Sequence, residues 1–337
     1  MSDKVYYFET LKFLDKRKKL KEAISIAHPN FALVKYWGKN DTEENQPAMS
    51  SVSVTIDSLI SKTKISEKSS SKYLKWSLNG REQNDLSRIL PTINYLSNLY
   101  GTENNIQIES SNNFPTAAGL ASSASGIASL VTAFERYYDL HLTMEEKIKA
   151  CILGSGSAPR SLLGGFVLMN HLDHFRCSQI LERSEWHLNI LVCITSNDEK
   201  NISSRDAMEI SRKTSPNYEE WLDINSLHIK QAIRYIKAKD LLGLGKVAEE
   251  NCDFMHKVIN SSVPSITYKN RMTEMCIETV KQLRDRGHQL FYTVDAGPQV
   301  KIICEQKTSK IIKDAILRQA IVPQIIDASI GMPPQSL

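Results

Sequence analysis

The sequence has few of the residues that mark several large classes of protein. Its 337 residues include only six cysteines, and no Cys-x-x-Cys pair occurs among them. This spacing is unlike the dense disulfide framework of a small secreted domain, and it favours reduced thiols in a cytoplasmic protein. The 14 glycines and 11 prolines are scattered without a period, which excludes a collagen-like chain.

Long hydrophobic runs are also missing. Residues Met1–Glu22 lack the apolar stretch of a secretory signal. The longest uncharged segment, Ser110–Phe134, contains a proline, two asparagines and six serines. Their polar groups would need partners that lipid does not supply, so we expect no membrane-spanning helix and no membrane partner.

Neither sign of charge dominates. The 42 basic and 38 acidic residues give a net charge of +4, which is too balanced to indicate a nucleic-acid partner. Several lysines cluster within residues 12–21, and they form either a patch for anionic surfaces or a solvated helical arm ahead of the fold. We interpret residues 1–24 as a basic N-terminal extension and expect no nucleic-acid binding.

The remaining composition is that of an ordinary folded protein, with 41% hydrophobic and 24% charged residues. Since a domain has roughly 150 residues, the length indicates two lobes. Strand-like and helical patterns are mixed without regular strand–helix–strand alternation, which favours an α+β fold over a doubly wound sheet.

Periodicity predicts the main elements. The predicted strands are Ile24–Tyr36, Val52–Ile56, Tyr73–Leu78, Gly164–Met169 (beginning as a turn), Leu188–Ile194, Gln289–Thr293 and Val300–Cys304. The predicted helical segments are Ile127–Tyr138, Asn201–Met255 and Glu274–Arg286. Asn79-Gly80 predicts a turn, because both residues readily adopt positive φ.

The segment Asn112–Ala124 is rich in small residues and precedes a helical stripe. Small residues let the backbone approach an anion, and the N-terminus of the helix would supply free N–H groups and a positive dipole end. The hydroxyls of Ser122 and Ser123 would add donors. A Walker A loop is excluded because no Gly-Lys-Ser/Thr follows Gly119. The other interpretation is a tight packing seam before a helix.

Three charged side chains are candidates for a site, each with an ordinary alternative. Lys35 alternates onto one face with Phe31 and Leu33, so its ammonium either meets an anion inside or reaches the surface. Arg160 follows a Gly-Ser-Gly-Ser turn and either binds a carboxylate or phosphate or faces solvent. Asp295 precedes Ala-Gly-Pro, where an aspartate commonly bonds its own backbone.

Together these segments resemble the diphosphomevalonate decarboxylase family of the GHMP kinase superfamily. The segments that carry the resemblance, in the family's order, are Asn30–Lys39, Ser50–Thr55, Asn112–Ala124, Gly154–Ser161 and Tyr292–Pro298. The resemblance covers residues 25–305. It implies a ribosomal-protein-S5-like N-terminal lobe (residues 25–185), an α/β C-terminal lobe (residues 186–337) and an active site in the cleft between them.

The resemblance implies ATP- and Mg²⁺-dependent decarboxylation of mevalonate 5-diphosphate to isopentenyl diphosphate, ADP, phosphate and CO₂. The implied catalytic residues are Asp295, Lys35, Arg160 and Ser123. The implied substrate-binding residues are Tyr36, Lys39, Ser155, Ser157 and Arg160. The implied ATP-binding residues are Pro115, Ala118, Gly119, Leu120, Ala121, Ser122 and Ser123. The ATP phosphates would hold Mg²⁺, with Ser123 as the candidate protein contact, and the family commonly forms homodimers.

Three positions depart from the family pattern. Pro159 replaces a usual cysteine, Val294 a common phenylalanine and Met49 a usual asparagine. Pro159 and Met49 keep open a related decarboxylase or kinase acting on mevalonate 5-phosphate or 3,5-bisphosphate. A non-catalytic ligand sensor on the same fold is the alternative from another class. His171, His174 and Cys177 lie close together and either hold a metal or belong to a surface turn.

Overall fold

The structure is a computed structural model, and it describes residues 19–41, 44–67, 74–102, 105–115, 119–198, 201–318 and 322–337. Three predictions therefore lie wholly or partly outside the described residues: the basic extension over residues 1–18, Ala118 in the small-residue segment, and the start of the strand at Tyr73.

Within the described ranges the chain forms sixteen strands and eight α-helices. The first strands are β1 (Glu22–Ala27), β2 (Asn30–Val34), β3 (Lys39–Asp41), β4 (Gln46–Pro47), β5 (Ser51–Thr55), β6 (Ser61–Glu67), β7 (Lys75–Leu78) and β8 (Arg81–Glu82). The others are β9 (Ile106–Asn112), β10 (Phe166–Asn170), β11 (Arg176–Leu181), β12 (Leu188–Ile194), β13 (Leu290–Val294), β14 (Val300–Glu305), β15 (Gln324–Ser329) and β16 (Gln335–Ser336).

The helices are α1 (Leu90–Tyr100), α2 (Ser122–Tyr137), α3 (Met144–Gly154), α4 (Ser204–Thr214), α5 (Tyr218–Ala238), α6 (Leu241–Asn260), α7 (Arg271–Asp285) and α8 (Gln306–Arg318). A short 3₁₀ helix spans Ala158–Leu162.

Three larger sheets organise these elements. Their strand orders are β16-β1-β6-β9-β7-β8, β11-β10-β5-β2 and β13-β14-β12-β15, and β3 and β4 form a separate hairpin. Among the described strands, only β7 and β9 pair in parallel. This mixture of largely antiparallel sheets with helices confirms the predicted α+β class.

The six-stranded sheet is covered by α2, which joins it through hydroxyl pairs as well as apolar contacts. Ser61 Oγ lies 2.6 Å from Ser125 Oγ, and Thr63 Oγ1 lies 2.7 Å from Ser129 Oγ. All four side chains are buried, so the pairs satisfy groups that would otherwise be costly to desolvate. These contacts fix α2, and with it the small-residue loop at its N-terminus.

A second core joins the two four-stranded sheets. Phe31 and Phe166 from one sheet pack with Ile190 and Ile303 from the other, and Leu244 of α6 belongs to the same cluster. Burying an aromatic or aliphatic side chain of this size contributes about 1.5–3 kcal/mol. This core brings the end of β2 against β13 and β14, where the charged residues of the site lie.

The single strand predicted over Ile24–Tyr36 is wrong. The segment forms β1 and β2, which belong to different sheets. The break is at His28-Pro29, since proline has no N–H to donate to a ladder, and His28 Nδ1 is bonded to Leu59 O at 3.1 Å. Lys35 therefore lies just past a strand end rather than within a strand.

Most other predicted elements are confirmed within a few residues. β12 has both predicted ends, and Asn79 and Gly80 have φ of 50° and 77° in the turn between β7 and β8. The long helical segment divides into α4, α5 and α6. The short strands β3, β4, β8 and β16 had no sequence signal, because they have only two or three residues each.

Candidate active site

Asp295 is held between two lysines. It is the first residue after β13, and its Oδ1 lies 2.6 Å from Nζ of Lys35, the first residue after β2. Its Oδ2 lies 3.1 Å from Nζ of Lys301 in β14. The Asp295 side chain is 23% exposed, whereas those of Lys35 and Lys301 are 2% and 0% exposed. The carboxylate is therefore partly exposed, while both lysines that hold it are buried.

The two lysines keep Asp295 ionised. Burial alone would raise the pKa of this carboxyl group, but the charges and hydrogen bonds of Lys301 and Lys35 hold its pKa well below the usual range. At neutral pH the group is a carboxylate that accepts hydrogen bonds. It does not bond only to its own backbone, as a turn aspartate would.

Lys301 was missed at the sequence level. It is the one charged residue within the predicted strand Val300–Cys304. A lone lysine in an apolar strand could have indicated a site, because a buried ammonium needs an anion or polar partners. No motif pointed to it, and only the pairing of β13 with β14 brings it beside Asp295.

The backbone at Lys35 is fixed from the helical side. Lys35 N donates to Asn251 Oδ1 at 2.7 Å, and Asn225 Nδ2 donates to Ser50 O at 3.1 Å and Lys35 O at 3.4 Å. Asn251 Nδ2 in turn lies 2.9 Å from His228 Nδ1. These buried amides on α5 and α6 hold the strand end whose side chain reaches Asp295.

The small-residue loop touches the turn that follows Asp295. Gly119 has φ +80°, and a Cβ built there would lie 2.7 Å from Gly297 Cα. Lys301 Nζ donates to Gly119 O at 2.9 Å. The loop before α2 is thus joined to the Asp295 turn by close backbone packing and by one hydrogen bond.

Gly119→Ala is expected to weaken ATP binding, because the new methyl group would clash with backbone at an unfavourable φ. Gly80→Ala is the matched control, since Gly80 also has positive φ (+77°) but has nothing within 4 Å of its Cβ position. Alanine at positive φ costs about 1–2 kcal/mol in either variant. Calorimetry with an ATP analogue should show weakened binding for Gly119→Ala only, and equal affinities in both variants would contradict the close approach.

The N-terminus of α2 offers free donors toward the cleft. The helix begins at Ser122, after Ala121 in a left-handed conformation (φ +55°), and alanine has no polar side chain for capping. Ser123 Oγ lies 3.3 Å from Ser155 Oγ, which lies 3.2 Å from Ser157 Oγ. The structure thus brings three predicted serines into one line of hydroxyls beside unpaired helix N–H groups, an arrangement suited to phosphate oxygens.

Arg160 points inward, as one of the two alternatives predicted. It lies on the 3₁₀ helix and is 3% exposed. Its Nε donates to Asn30 Oδ1 at 3.0 Å, its Nη1 donates to Ser51 Oγ, and its guanidinium lies 5.7 Å from the centre of the Tyr36 ring. No carboxylate of the described residues lies within ion-pair distance of it.

Lys39 is a further buried cation without a carboxylate partner in the described part of the chain. Its Nζ bonds to Asn45 Oδ1. Burial and the neighbouring charge of Arg205 lower the pKa of Lys39 to about 8. Arg205, on the first turn of α4, was another residue missed from the sequence, because nothing in its surroundings distinguishes it from an ordinary surface arginine.

The turn that carries Ser155 and Ser157 lies close to Tyr36. A Cβ on Gly156 would lie 2.8 Å from the Tyr36 hydroxyl, so the glycine allows this turn to approach the tyrosine.

The charge balance of the site is unusual. Of the lysines and arginines in the described ranges, four are buried, namely Lys35, Lys39, Arg160 and Lys301, and all four belong to this site. The carboxylate of Asp295 is shared by two of them. Because a buried charge is costly without a partner, the arrangement is a receptor for a ligand with several negative charges.

A cleft with about 570 Å³ of empty space, counting its open mouth, adjoins the N-terminus of α2. Ser122 and Ser123 line one end, and Trp76, Ile89 and Leu130 supply apolar surface. The cleft therefore combines a phosphate-binding end with an aromatic and aliphatic wall for a flat organic group.

Other predicted residues lie apart from the charged cluster. Leu120 is buried in the second core, which leaves only its backbone for contact with a nucleotide. Pro115 is half-buried after β9. Met49 packs against Trp37 and Trp221 in the apolar core, so its replacement of asparagine is accommodated there. Pro159 lies at the start of the 3₁₀ helix, a position where its missing N–H is not needed.

His171, His174 and Cys177 do not form a metal cluster. His171 Nδ1 lies 2.9 Å from Ser50 Oγ, and Cys177 Sγ donates to Phe175 O. Among the described residues no group of three or more His, Cys, Asp or Glu side chains could hold a metal ion. All six cysteines are free and buried. None of the described helices combines the length and apolar composition needed to cross a membrane.

Comparison with known proteins finds matches over most of the chain. A family model described as the diphosphomevalonate decarboxylase-like N-terminal domain matches residues 27–178. A second, described as the mevalonate 5-diphosphate decarboxylase C-terminal domain, matches residues 190–333.

Individual relatives extend this likeness to nearly full length. The diphosphomevalonate decarboxylase of Debaryomyces hansenii is 32% identical over 86% of this chain and 81% of its own. The mevalonate diphosphate decarboxylase structure from Staphylococcus aureus has a TM-score of 0.87 and 33% identity, covering 94% of this chain and 98% of its own. A structure described as MDDEF in complex with MVAPP, AMPPCP and magnesium has a TM-score of 0.86 and 32% identity, with the same coverage.

Proposed function

The chain belongs to the diphosphomevalonate decarboxylase family, and from this premise we propose that it decarboxylates mevalonate 5-diphosphate with ATP and Mg²⁺. The products are isopentenyl diphosphate, ADP, phosphate and CO₂. The observation that carries the proposal is the charge balance of the site, where four cations are buried and only two of them share the carboxylate of Asp295. The substrate brings a carboxylate and a diphosphate, which supply the missing negative charge.

ATP would bind with its phosphates at the N-terminus of α2 and its adenosine in the adjoining cleft. The free N–H groups and the hydroxyls of Ser122 and Ser123 suit phosphate oxygens, and Trp76 supplies an aromatic wall. The similar structure with AMPPCP and magnesium supports this pairing of nucleotide and metal. Mg²⁺ prefers oxygen ligands and keeps several waters, so phosphates with Ser123 Oγ fit it without a carboxylate cluster. When bound, it neutralises charge on the β- and γ-phosphates.

Asp295 would orient the 3-hydroxyl group of the substrate toward the γ-phosphate. Its low pKa makes it a weak base, so it acts mainly by accepting the hydroxyl hydrogen bond and takes the proton as the oxygen attacks phosphorus. Phosphoryl transfer depends mostly on positioning and charge neutralisation, and Lys35 and Lys301 fix the carboxylate in place.

Decarboxylation follows from the phosphorylation. The C3–O bond breaks with its electron pair leaving on phosphate, and the electrons of the C1–C2 bond form the C2–C3 double bond as CO₂ departs. Arg160 would hold the C1 carboxylate with the guanidinium edge that Asn30 and Ser51 leave free. Lys39, Tyr36, Ser155 and Ser157 would bind the diphosphate, which keeps C3 beside Asp295.

Binding of the diphosphate should weaken as pH rises through about 8, because Lys39 is charged below its pKa and neutral above it. We expect kcat/KM for mevalonate 5-diphosphate to show an alkaline limb near that pH. In Lys39→Arg the limb should move upward, since the guanidinium stays protonated. An unchanged limb in the arginine variant would show that another group titrates there.

The direct test measures ADP and CO₂ together from purified protein with ATP, Mg²⁺ and mevalonate 5-diphosphate. We expect equal yields of the two products. ADP without CO₂ would indicate a kinase, and neither product would indicate a ligand sensor. Parallel reactions with mevalonate 5-phosphate and 3,5-bisphosphate test the alternative substrates, and turnover of either in preference to the diphosphate would overturn the proposal.

We further propose that the enzyme is a cytoplasmic homodimer. Six free thiols support a reducing compartment, and the family resemblance supports the dimer. Light scattering on the purified protein should give twice the chain mass of 38.1 kDa. The division into lobes at residues 185 and 186 is likewise a proposal, supported by the two family models, which end at residue 178 and begin at residue 190.

A further inference from the structure

We propose that Lys301 is a positioning residue that couples the nucleotide-binding loop to Asp295, so that ATP and the catalytic carboxylate are held as one unit. This inference rests on the proposed function. It assigns a role to a residue that no sequence motif singled out, and it predicts effects on both ATP binding and the reaction step.

The ammonium group of Lys301 is surrounded by contacts within the protein. Nζ donates to Gly119 O at 2.9 Å and to Asp295 Oδ2 at 3.1 Å, and it lies 4.4 Å from the centre of the Phe31 ring. The side chain has no exposed surface. An ammonium has three N–H donors, and here two meet oxygens while an aromatic face covers the group. Lys301 therefore reaches no ligand directly and acts through the residues it holds.

Lys35 does not duplicate this role. It contacts the other carboxylate oxygen of Asp295, and its backbone is fixed by Asn225 and Asn251 on the helices. Among the described residues, Lys301 alone is bonded to both Asp295 and the loop at Gly119. The backbone contact between Gly119 and Gly297 lies beside the same bridge. A shift of the loop on binding phosphate would thus be transmitted to the carboxylate.

The charged groups around Asp295 come from four elements. Lys35 follows β2, Lys301 lies on β14, Arg160 lies on the 3₁₀ helix and His256 lies on α6. Burial lowers the pKa of His256 to about 3, so this histidine is neutral at the pH of an assay. Cys252 on α6 is buried with a raised pKa and is also neutral. Removing Lys301 therefore removes one of the two cations bonded to the carboxylate.

Three substitutions separate the two functions of Lys301. Lys301→Met removes the charge and both hydrogen bonds, and Lys301→Gln removes the charge but keeps a neutral donor for Gly119 O. Lys301→Arg keeps the charge. Thr293→Val is the matched control, because Thr293 is buried and pairs with Lys301 across the strands, and its side-chain hydroxyl donates to Ala32 O rather than to Asp295.

For Lys301→Met we expect kcat/KM for ATP to fall roughly 10- to 100-fold, the range for losing a hydrogen bond that involves a charged group. The acid limb of the kcat profile should move toward neutral pH, because losing the charge of Lys301 raises the pKa of Asp295. Lys301→Gln should show the same shift of the acid limb as Lys301→Met, but its affinity for ATP should stay near that of the wild type. Lys301→Arg should recover part of both, and Thr293→Val should keep the wild-type pH profile.

An unchanged acid limb in folded Lys301→Met or Lys301→Gln would overturn the proposal, as would unchanged ATP affinity in Lys301→Met. If Lys301→Met does not fold, the pH profile of Lys301→Gln decides. Wild-type turnover of mevalonate 5-diphosphate is measured first, because its absence would contradict the proposed function alone. Calorimetry with AMPPCP would then still test the coupling, and equal affinities of the wild type and Lys301→Met would overturn it.

Discussion

Replacing Asp295 with asparagine is expected to lower kcat for mevalonate 5-diphosphate by roughly 10²–10⁴-fold, the range for a positioned acid–base group. The amide keeps the size of the side chain but loses the charge that accepts the hydroxyl hydrogen bond and its proton. The affinity for the substrate should change little, since the residues proposed to bind the diphosphate are different from the two lysines that contact Asp295. Steady-state kinetics together with calorimetric substrate binding check this separation.

The same substitution should also destabilise the protein. Lys35 and Lys301 would be left buried without their shared carboxylate, and removing one partner of a buried ion pair costs about 3–5 kcal/mol. Thermal denaturation should show the loss and its partial recovery on adding the polyanionic substrate. Asp327→Asn is the control, because Asp327 is an exposed strand aspartate paired with Lys313. A folded Asp295→Asn enzyme with full turnover would contradict the assignment.

Replacing Arg160 with lysine is expected to lower kcat/KM by roughly 10²–10³-fold, although the charge is conserved. Two edges of the guanidinium are fixed by Asn30 and Ser51, and an ammonium cannot keep both and still reach a carboxylate. Losing one or two hydrogen bonds that involve charged groups costs about 1.5–3 kcal/mol for each bond, and each 1.4 kcal/mol is tenfold. Measuring ADP and CO₂ together shows whether the release of CO₂ falls along with phosphoryl transfer.

Arg176→Lys provides the comparison for Arg160→Lys. Arg176 lies on the neighbouring strand β11, and its side chain is 76% exposed with only a long contact to Asp173. An exposed pair of this kind contributes little, so its turnover and melting temperature should match those of the wild type. Equal activity of the two lysine variants would mean that Arg160 supplies only a point charge.

The local motifs of the site were predictable from sequence because each depends on neighbouring residues. Gly119 and the small residues around it indicate close approach, and the apolar stripe predicted a helix after them, although α2 begins at Ser122, five residues before the predicted start at Ile127. The segments containing Lys35, Arg160 and Asp295 were identified by family resemblance. The structure brings Lys35 and Asp295 into contact, and the roles of all three residues stay predictions until the variants are measured.

Lys301 and Arg205 were missed for different reasons. Lys301 is important through a contact between β13 and β14 and through the loop at Gly119, 182 residues away in sequence. Arg205 acts on Lys39 from α4 by charge alone. Lys301 and Gly119, like Arg205 and Lys39, share no periodic pattern in the sequence. Their spacing therefore gives no sign that they interact.

Periodicity and turn chemistry within short segments were enough to predict the fold class and part of the secondary structure. Helices α1, α3 and α8 and about half of the strands were not predicted. The division of Ile24–Tyr36 between two sheets, the burial of four cations and the sharing of Asp295 by two of them became visible only in the folded structure. Burial and charge pairing depend on which surfaces meet when the sheets pack. That packing balances desolvation against contacts between residues far apart in the chain.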